Sequence, residues 1–305
     1  MKLGLVLGLV WAASAVGAGP KAEASDDDVT ESDGKLMKRI AKELATPLNP
    51  IVTDFSRELT FHLDFDDGTV QPAVGKTTIP REKRDNFRMV KSELGGQALV
   101  NGQFGYPQDP SAPLLDTSKP GTVICWVKLN REQQPVVRGL QKWECGSTFF
   151  DVIGPGGTQF LIMKSSSMEW GRGTMTFYVN WKDIGGKLKT ASVAARASFV
   201  DWKVGEWKMV AAAWTAEKLY VSVDGKPFNA APLAEPLRRY AGPVYVTATY
   251  WIDAKPKSKT EPGLFTVDEV SILNRKLTDD EIKSVYDKMS ARLRRPTKLR
   301  VHRSF

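Results

Sequence analysis

Residue types that carry covalent or metal chemistry are scarce in this 305-residue chain. It has two cysteines, Cys125 and Cys145, and two histidines, His62 and His302, none of them in a recognisable triad context. No cysteine–histidine spacing typical of a zinc site is present. The GPGG stretch at 154–157 contains a proline and lacks Gly-Lys-Ser/Thr, so it predicts a turn rather than a phosphate-binding loop. These absences argue against cysteine, zinc and nucleotide-hydrolysing enzymes.

Long apolar runs are lacking after the N-terminus. Residues 3–18 form one such run behind the short basic segment Met1-Lys2, but at about 16 residues it is short for a bilayer span of about 20. Ala-Glu-Ala at 22–24 fits a signal cleavage site, and Ala18 ends a competing one. We predict a signal peptide at 1–24 and a secreted protein of the periplasm or cell surface, with no transmembrane segment after cleavage. An uncleaved anchor is the alternative.

Export changes the interpretation of the two cysteines. An even pair in an oxidising compartment predicts a disulfide between Cys125 and Cys145. It would close a loop of about 20 residues and contribute roughly 3 kcal/mol. The alternative is two buried free thiols.

Acidic residues are absent from the last segment, 290–305, which supplies +6 of the formal net charge of +8. Its basic residues are Arg292, Arg294, Arg295, Lys298, Arg300 and Arg303. This basic tail is either a binding segment for anionic glycans, lipid headgroups or cell-wall polymers, or a solvated end. Nucleic acid is not an expected partner of an exported protein.

Residues 25–57 are predicted to form an acidic linker with a short helix. The first ten of them contain five acids and no base, which is typical of a solvated spacer. Leu36, Ile40 and Leu44 then recur at helical spacing, and Pro47 ends the pattern.

The segment 205–227, GEWKMVAAAWTAEKLYVSVDGKP, predicts a β-hairpin. Its first strand is apolar on both sides, which indicates a strand inside a sheet with both faces covered. Its second strand alternates apolar and polar residues, and Asp224-Gly225 suits a turn that needs positive φ. Alternating or apolar runs at 59–65, 121–130, 148–153, 159–163, 174–181, 191–197, 244–251 and 265–273 predict further strands. Thr278 and Glu281 then form the sequence signature of a helix capping box.

These segments resemble the laminin-G-like, concanavalin-A-like jelly-roll superfamily. The matching hairpin residues are Gly205, Trp207, Trp214, Val223, Asp224, Gly225 and Lys226. The ending DEVSILNRKL, followed by Thr-x-x-Glu-Ile, matches a second family signature at 268–282. The resemblance covers 58–289 and implies an all-β fold, a two-sheet antiparallel jelly-roll sandwich with short N-terminal and C-terminal helices.

The resemblance also implies a structural calcium ion, which in related jelly rolls joins the turn after the first strand to an aspartate on the last strand. The corresponding residues here are Asp64, Asp66, Gly68 and Asp268. Asp268 is in phase with the apolar residues of its strand, so we expect its carboxylate to face the apolar side and to need a partner. The alternative partners are turn N–H groups or Arg275.

Aromatic and polar residues near strand ends predict a carbohydrate-binding site, because sugar rings stack on flat aromatics while polar groups bind their hydroxyls. The predicted residues are Trp170, Arg172, Asn180, Tyr250, Trp251 and Asp253. The alternative is that most of the tryptophans close the ends of the core. The Glu-x-Asp-x-x-Glu motif of glucanases with this fold is absent, so we do not predict an enzyme.

We therefore predict a secreted, non-catalytic, lectin-like protein that binds a glycan or polysaccharide. A structural or adhesive module that contacts cell-envelope proteins is the second hypothesis. A polysaccharide-active hydrolase or lyase is the third.

Overall fold

The structure is a computed structural model that describes residues 49–75, 77, 81–82, 88–130, 136–138, 141–143, 147–154, 158–164, 174–183, 185–195, 202–250 and 265–294. The chain divides into two compact units, 1–48 and 49–305. The predicted signal peptide, most of the acidic linker with its helix, and residues 295–305 of the basic tail lie outside the described residues. Within the described part, no helix is long and apolar enough to cross a bilayer.

The described elements follow one another almost entirely as strands. In chain order they are α1 (Pro50–Asp54), β1 (Leu59–Leu63), β2 (Arg81–Glu82), β3 (Arg88–Lys91), β4 (Gln97–Asn101), β5 (Gln103–Tyr106), β6 (Gly121–Leu129), β7 (Val136–Arg138), β8 (Gln141–Trp143), β9 (Ser147–Ile153), β10 (Gln159–Lys164), β11 (Met175–Lys182), β12 (Leu188–Ala195), β13 (Trp207–Trp214), β14 (Lys218–Val223), β15 (Asn229–Pro232), β16 (Val244–Tyr250), β17 (Phe265–Leu273) and α2 (Asp279–Leu293).

Two large antiparallel sheets form the sandwich, which confirms the predicted fold class. Sheet I has eight strands in the order β15-β14-β13-β6-β17-β4-β3, with β1 paired to β17. Sheet II has seven strands in the order β12-β11-β10-β9-β16-β5-β2, and β7 and β8 form a separate ribbon. The predicted hairpin is β13–β14, with Trp214 opposite Leu219 and Val210 opposite Val223.

The main core lies between the two sheets. Alternate residues of the central strands are apolar and buried, as the alternation predicts. Typical core residues, all fully buried, are Phe61, Phe160, Phe177, Val221 and Val246. The inner faces of both sheets are therefore used for packing.

A second apolar cluster covers the outer face of sheet I. Met209 and Ala211 of β13 and Trp126 of β6 belong to it, together with Ile282 and Val285 of α2. The Trp126 indole stacks on Tyr286 of the helix with ring centroids 5.9 Å apart. The prediction that β13 has both faces covered is confirmed, and the helix is what covers its outer face.

The turn that follows the second strand of the hairpin is shaped by Asp224. This residue has φ 54°, and its Oδ1 accepts the Met209 N–H at 3.0 Å. Its Oδ2 lies 3.0 Å from Lys208 Nζ. The aspartate of the family signature therefore ties the turn to the neighbouring strand and has a structural role.

Both ends of the domain extend further than the predicted limits of 58 and 289. At the N-terminal end α1 buries Ile51 and Phe55 in the outer cluster. At the C-terminal end α2 begins with the predicted capping box, in which Thr278 Oγ1 accepts the Glu281 N–H at 3.2 Å. The helix runs to Leu293, so Arg292 belongs to the folded domain rather than to a tail.

The predicted disulfide is not formed, because Cys125 is a free thiol. It faces the core between the sheets and is fully buried, which raises the pKa of the thiol to about 12. Cys145 lies outside the described residues. The alternative of a buried free thiol therefore holds for Cys125.

Candidate functional site

The outer face of sheet II is the candidate binding surface, because the other three sheet faces are packed. Its side chains alternate with core residues on β5, β9, β10, β11, β12 and β16. Most of them are polar or aromatic, although several are largely buried. Antiparallel sheets commonly leave one polar face to solvent, so it is the buried polar groups on this face that make it a candidate ligand site.

One row of residues crosses this face from strand to strand. The cross-strand pairs are Gly105–Tyr245, Tyr245–Asp151, Asp151–Leu161, Leu161–Tyr178 and Tyr178–Ser192. Directly paired residues project to the same side, so all six share the face. Tyr245 and Tyr178 are three strand spacings apart, or about 14 Å. Asp151, only 4% exposed, lies between them.

The Tyr245 ring lies over the backbone of Gly105. A Cβ atom on Gly105 would lie 2.6 Å from Tyr245 Cε1 and 3.0 Å from Cδ1, which is far inside carbon–carbon contact distance. The glycine therefore leaves room for the ring on the sheet surface. The half-buried tyrosine forms an aromatic platform at one end of the row.

The Asn180 Oδ1 and the Thr247 Oγ1 are buried polar atoms of this face that lack a hydrogen-bond partner in the described part of the chain. Asn180 is 6% exposed, and its Nδ2 donates to Gln159 Oε1 at 3.2 Å. Thr247 is 3% exposed. Burying such an atom without a partner costs roughly 1–3 kcal/mol, so a polar ligand that bonded them would gain affinity.

Of the six predicted carbohydrate-binding residues, only Asn180 has a described side chain. Asn180 lies on the outer face of sheet II. Trp170, Arg172, Trp251 and Asp253 lie outside the described residues, and Tyr250 ends β16 with a side chain that is not described.

Two other tryptophans near strand ends belong to the core. Trp181 is 2% exposed and donates to Glu235 Oε1 at 2.6 Å. Trp202 is 7% exposed and donates to the Glu206 carbonyl at 2.8 Å. For these two residues the alternative of core packing is confirmed.

Sequence reasoning missed Asp151, Tyr178, Tyr245 and Thr247. The signal was present, since Phe150 and Val152 flank Asp151 in β9, and apolar residues flank the other three in the same way. Such alternation marks the side chains that face away from the core. It does not reveal which strands are neighbours, and that adjacency is what brings the four residues onto one face.

Asp268, predicted to face the apolar side in phase with Val270 and Ile272, projects the other way. A β-bulge in β17 between Asp268 and Ser271 contains Glu269, whose φ is 52°. Asp268 pairs with Trp126 on the outer face, while Val270 and Ile272 stay in the core. The carboxylate is nonetheless 1% exposed, because α2 covers that face.

The Asp268 carboxylate has its own partners. Its Oδ2 accepts the Ser92 hydroxyl at 2.5 Å, and its Oδ1 accepts the Glu269 N–H at 2.9 Å. Burial, and then the charge of Glu269, raise the pKa of Asp268 well above its ordinary value. Of these partners one is a backbone N–H, in the bulge rather than in a turn, and the other is a hydroxyl. Arg275 is not a partner, because it binds Glu281 at 2.8 Å.

Three further ionisable groups lie near Asp268. Burial, and then the charge of Asp64, raise the pKa of Asp66 to about 6. Burial raises the pKa of Glu269, and the positive charge of Arg292 acts in the opposite direction. Burial lowers the pKa of His62 to about 4, so its imidazole is neutral at pH 7.

The carboxylates of this cluster would suit an oxygen-seeking cation by their chemistry. Their positions do not, because no three His, Cys, Asp or Glu side chains of the described residues are arranged to hold a metal ion. The predicted set Asp64, Asp66, Gly68 and Asp268 would therefore need backbone oxygens to complete a ligand set. Calcium binding stays a prediction that a titration can test.

Comparison with known proteins identifies the family of this chain. Residues 101–283 match the family model described as the concanavalin A-like lectin/glucanases superfamily. A comparison with curated protein sequences found no match.

Solved structures share the fold at low identity. Domain 4 of AbnA, a GH43 extracellular arabinanase from Geobacillus stearothermophilus in complex with arabinotriose, is 14% identical with a TM-score of 0.52, over 75% of this chain and 99% of that one. A botulinum neurotoxin type C structure, described by its interaction with two ganglioside molecules, is 10% identical with a TM-score of 0.56, over 78% and 53%. The binding domain of botulinum neurotoxin DC in complex with rat synaptotagmin II is 10% identical with a TM-score of 0.53, over 77% and 52%. This chain spans about half the length of those neurotoxin chains.

Proposed function

Because this chain belongs to the concanavalin A-like lectin/glucanases superfamily, we propose that it is a secreted, non-catalytic carbohydrate-binding protein whose site is the outer face of sheet II. The observation that carries the proposal is the row in which Tyr245 and Tyr178 flank the buried Asp151.

The chemistry of this row suits a sugar chain. A pyranose or furanose ring offers C–H groups to an aromatic face and hydroxyls to polar groups, and tyrosine can serve both purposes. The two tyrosines, about 14 Å apart, would contact different residues of one oligosaccharide. Asp151, Asn180 and Thr247 would accept or exchange hydrogen bonds with hydroxyls between them. The fold neighbours in complex with arabinotriose or described with gangliosides support the same class of ligand.

The non-catalytic part of the proposal rests on the carboxylate count. Glycoside hydrolysis in most families needs two carboxylates flanking the bond, about 5 Å apart or somewhat more. The six strands β5, β9, β10, β11, β12 and β16 contain one carboxylate between them, Asp151. A single buried acid can orient a hydroxyl but cannot supply both the acid and the nucleophile.

Export and the basic tail are proposed from the sequence alone. A signal at 1–24 would deliver the protein to the periplasm or cell surface, where polysaccharides are abundant. The basic residues after Arg294 would favour an anionic glycan. Removal of residues 295–305 should then weaken binding to a heparin-like resin while leaving neutral glycans unaffected. Equal retention by the truncated and full chains at moderate salt would remove the tail from the proposal.

Glycan-array binding followed by titration calorimetry tests the binding face. Tyr178→Ala and Tyr245→Ala should each weaken the affinity for a bound glycan about 3- to 10-fold, as expected for loss of one aromatic stacking contact. Tyr220→Ala is the matched control, since that tyrosine lies on β14 of sheet I and contacts Phe228. Equal affinities for all three variants and the native protein would contradict the assignment of this face.

Two other outcomes point to the remaining hypotheses. Failure to bind any glycan, together with capture of a cell-envelope protein that Tyr245→Ala abolishes, would favour a protein-interaction module. Depolymerisation of a polysaccharide that Asp151→Asn abolishes would favour an enzyme.

A further inference from the structure

Glu269 contacts residues from both ends of the described domain. It occupies the β17 bulge, is 2% exposed, and has a positive φ of 52°. Its Oε2 accepts the side-chain amide of Asn49, whose own Oδ1 caps α1. Its Oε1 accepts Arg292 Nη1 from the last turn of α2 at 3.2 Å. His62 Nε2 of β1 lies 3.5 Å from its Oε2.

The Arg292 side chain is partly buried, and its guanidinium donates hydrogen bonds to two acceptors. Its side chain is 13% exposed, and besides Glu269 it donates to the Leu94 carbonyl at 3.3 Å. Its positive charge also acts on Asp66 and on His62. Arg292 thus lies within reach of the carboxylate cluster formed by Asp64, Asp66, Asp268 and Glu269, here called the acidic cluster.

A cluster of this kind needs a positive charge. Four carboxylates close together repel one another, and burial adds the cost of removing each charge from water. His62 Nε2 makes no hydrogen bond to the described residues. Among the described residues, Arg292 is the base that forms an ion pair with Glu269.

We infer that Arg292 is the built-in cation of the acidic cluster, at the place where calcium is expected in related jelly rolls, and that through Glu269 it fastens α2 to the first and last strands. A divalent ion there would need free oxygen ligands. The Glu269 Oε1 and the Leu94 carbonyl already accept the guanidinium, and both Asp268 oxygens already accept hydrogen bonds. This inference is independent of the proposed carbohydrate site, which lies on the other sheet.

The first experiment follows thermal unfolding of the full chain by tryptophan fluorescence, in EDTA and in millimolar calcium chloride. The native protein should melt within about 1 °C of the same temperature in both. Arg292→Gln should lower Tm by about 5–10 °C, because it leaves a buried carboxylate without its partner. Arg294→Gln is the matched control, at the exposed C-cap of the same helix two residues further on, and should change Tm by less than about 2 °C.

A rise of several degrees in the native Tm with calcium would overturn the inference, because the cluster would then be a metal site. Arg292→Gln and Arg294→Gln variants of equal stability would overturn it as well. Neither measurement depends on glycan binding, so failure here leaves the carbohydrate proposal untouched.

A second set of variants separates charge compensation from packing. Arg292→Lys keeps the charge and should lose less stability than Arg292→Gln. The double variant Arg292→Gln/Glu269→Gln should recover part of the loss, because neither charge is then buried alone. If the double variant instead shows the summed loss of both single variants, Arg292 acts through packing and the inference fails. Should Arg292→Gln not fold at all, the lysine variant and the calcium titration of the native protein still decide the matter.

Discussion

The contact between Gly105 and Tyr245 allows the binding face to be tested without removing any group from it. Gly105→Ala adds a single methyl group beneath the ring. That methyl carbon would lie 2.6 Å from Tyr245 Cε1, whereas carbon atoms in contact are separated by about 3.5–4.0 Å. The ring must therefore move by roughly 1 Å or tilt away from the sheet. Because the ring is the outer part of a side chain on the surface of the sheet, the backbone of β5 and β16 can stay in place.

The expected magnitudes separate binding from stability. Alanine is favoured over glycine within a strand by roughly 0.5–1 kcal/mol, which offsets the cost of moving the ring, so Tm should change by no more than about 3 °C. An aromatic contact is worth about 0.5–1.5 kcal/mol, so a displaced platform should weaken glycan affinity by roughly 2- to 10-fold. The variant should thus lose affinity at nearly constant stability.

The assay is titration calorimetry with a glycan identified on an array, beside a thermal melt of the same samples. Tyr245→Ala should show at least as large a loss of affinity as Gly105→Ala, and in the double variant the two losses should not add. Unchanged affinity in Gly105→Ala, with the ring shown to be displaced by a structure of the variant, would refute the role of this ring. Additive losses in the double variant would show that Gly105 acts by some other route.

Two predictions concern the framework. Glu281 has its pKa lowered from 4.5 to about 2, chiefly by the hydrogen bonds from Arg275. Its stabilising contribution should be complete above pH 5, fall as the pH drops from about 4.5 to 2, and amount to about 1 kcal/mol after allowance for solvent screening of the partly exposed pair. Glu281→Gln should remove that part of the acid sensitivity in urea unfolding curves between pH 7 and pH 3, and an unchanged acid slope would contradict it. Cys125, with its thiol fully buried and its pKa raised to about 12, should react with a thiol reagent at pH 8 only after unfolding in guanidinium chloride. Rapid modification of Cys125 in the native Cys145→Ser variant would contradict that burial.

Much of the framework followed from local patterns. The hairpin β13–β14, the strand β17 and the Thr278–Glu281 capping box each depend on spacing within about fifteen residues. Such features need only the period of the strand or helix and the chemistry of the turn, both of which the sequence contains. The covered outer face of β13 was predictable for the same reason, because Met209, Val210, Ala211 and Ala212 leave it without a polar side.

The binding face was not predictable to the same degree, because it depends on which strands are neighbours. Tyr245 of β16 pairs with Gly105 on one side and with Asp151 on the other, across separations of 140 and 94 residues. Nothing in the local pattern of any of the three strands specifies that pairing. Attention to aromatic residues near strand ends selected Asn180, which lies on this face, but passed over the alternating positions within the strands. A prediction of the site from sequence would need the strand order first, and then the residues opposite the core.

The orientation of Asp268 shows how one irregular residue can reverse a prediction from periodicity. Strict alternation places Asp268 with Val270 and Ile272, but the bulge at Glu269 shifts the register by one residue and turns Asp268 outward. The same bulge gives Glu269 the positive φ that directs its carboxylate toward Asn49, His62 and Arg292. A non-glycine residue in that conformation costs roughly 1 kcal/mol or more, so the contacts it makes must outweigh the strain. Glu269→Gly would relieve the strain while deleting the carboxylate. If the contacts of Glu269 stabilise the protein by more than the strain costs, this variant should have a lower Tm than the native protein. A higher Tm would show that the strain is the larger of the two.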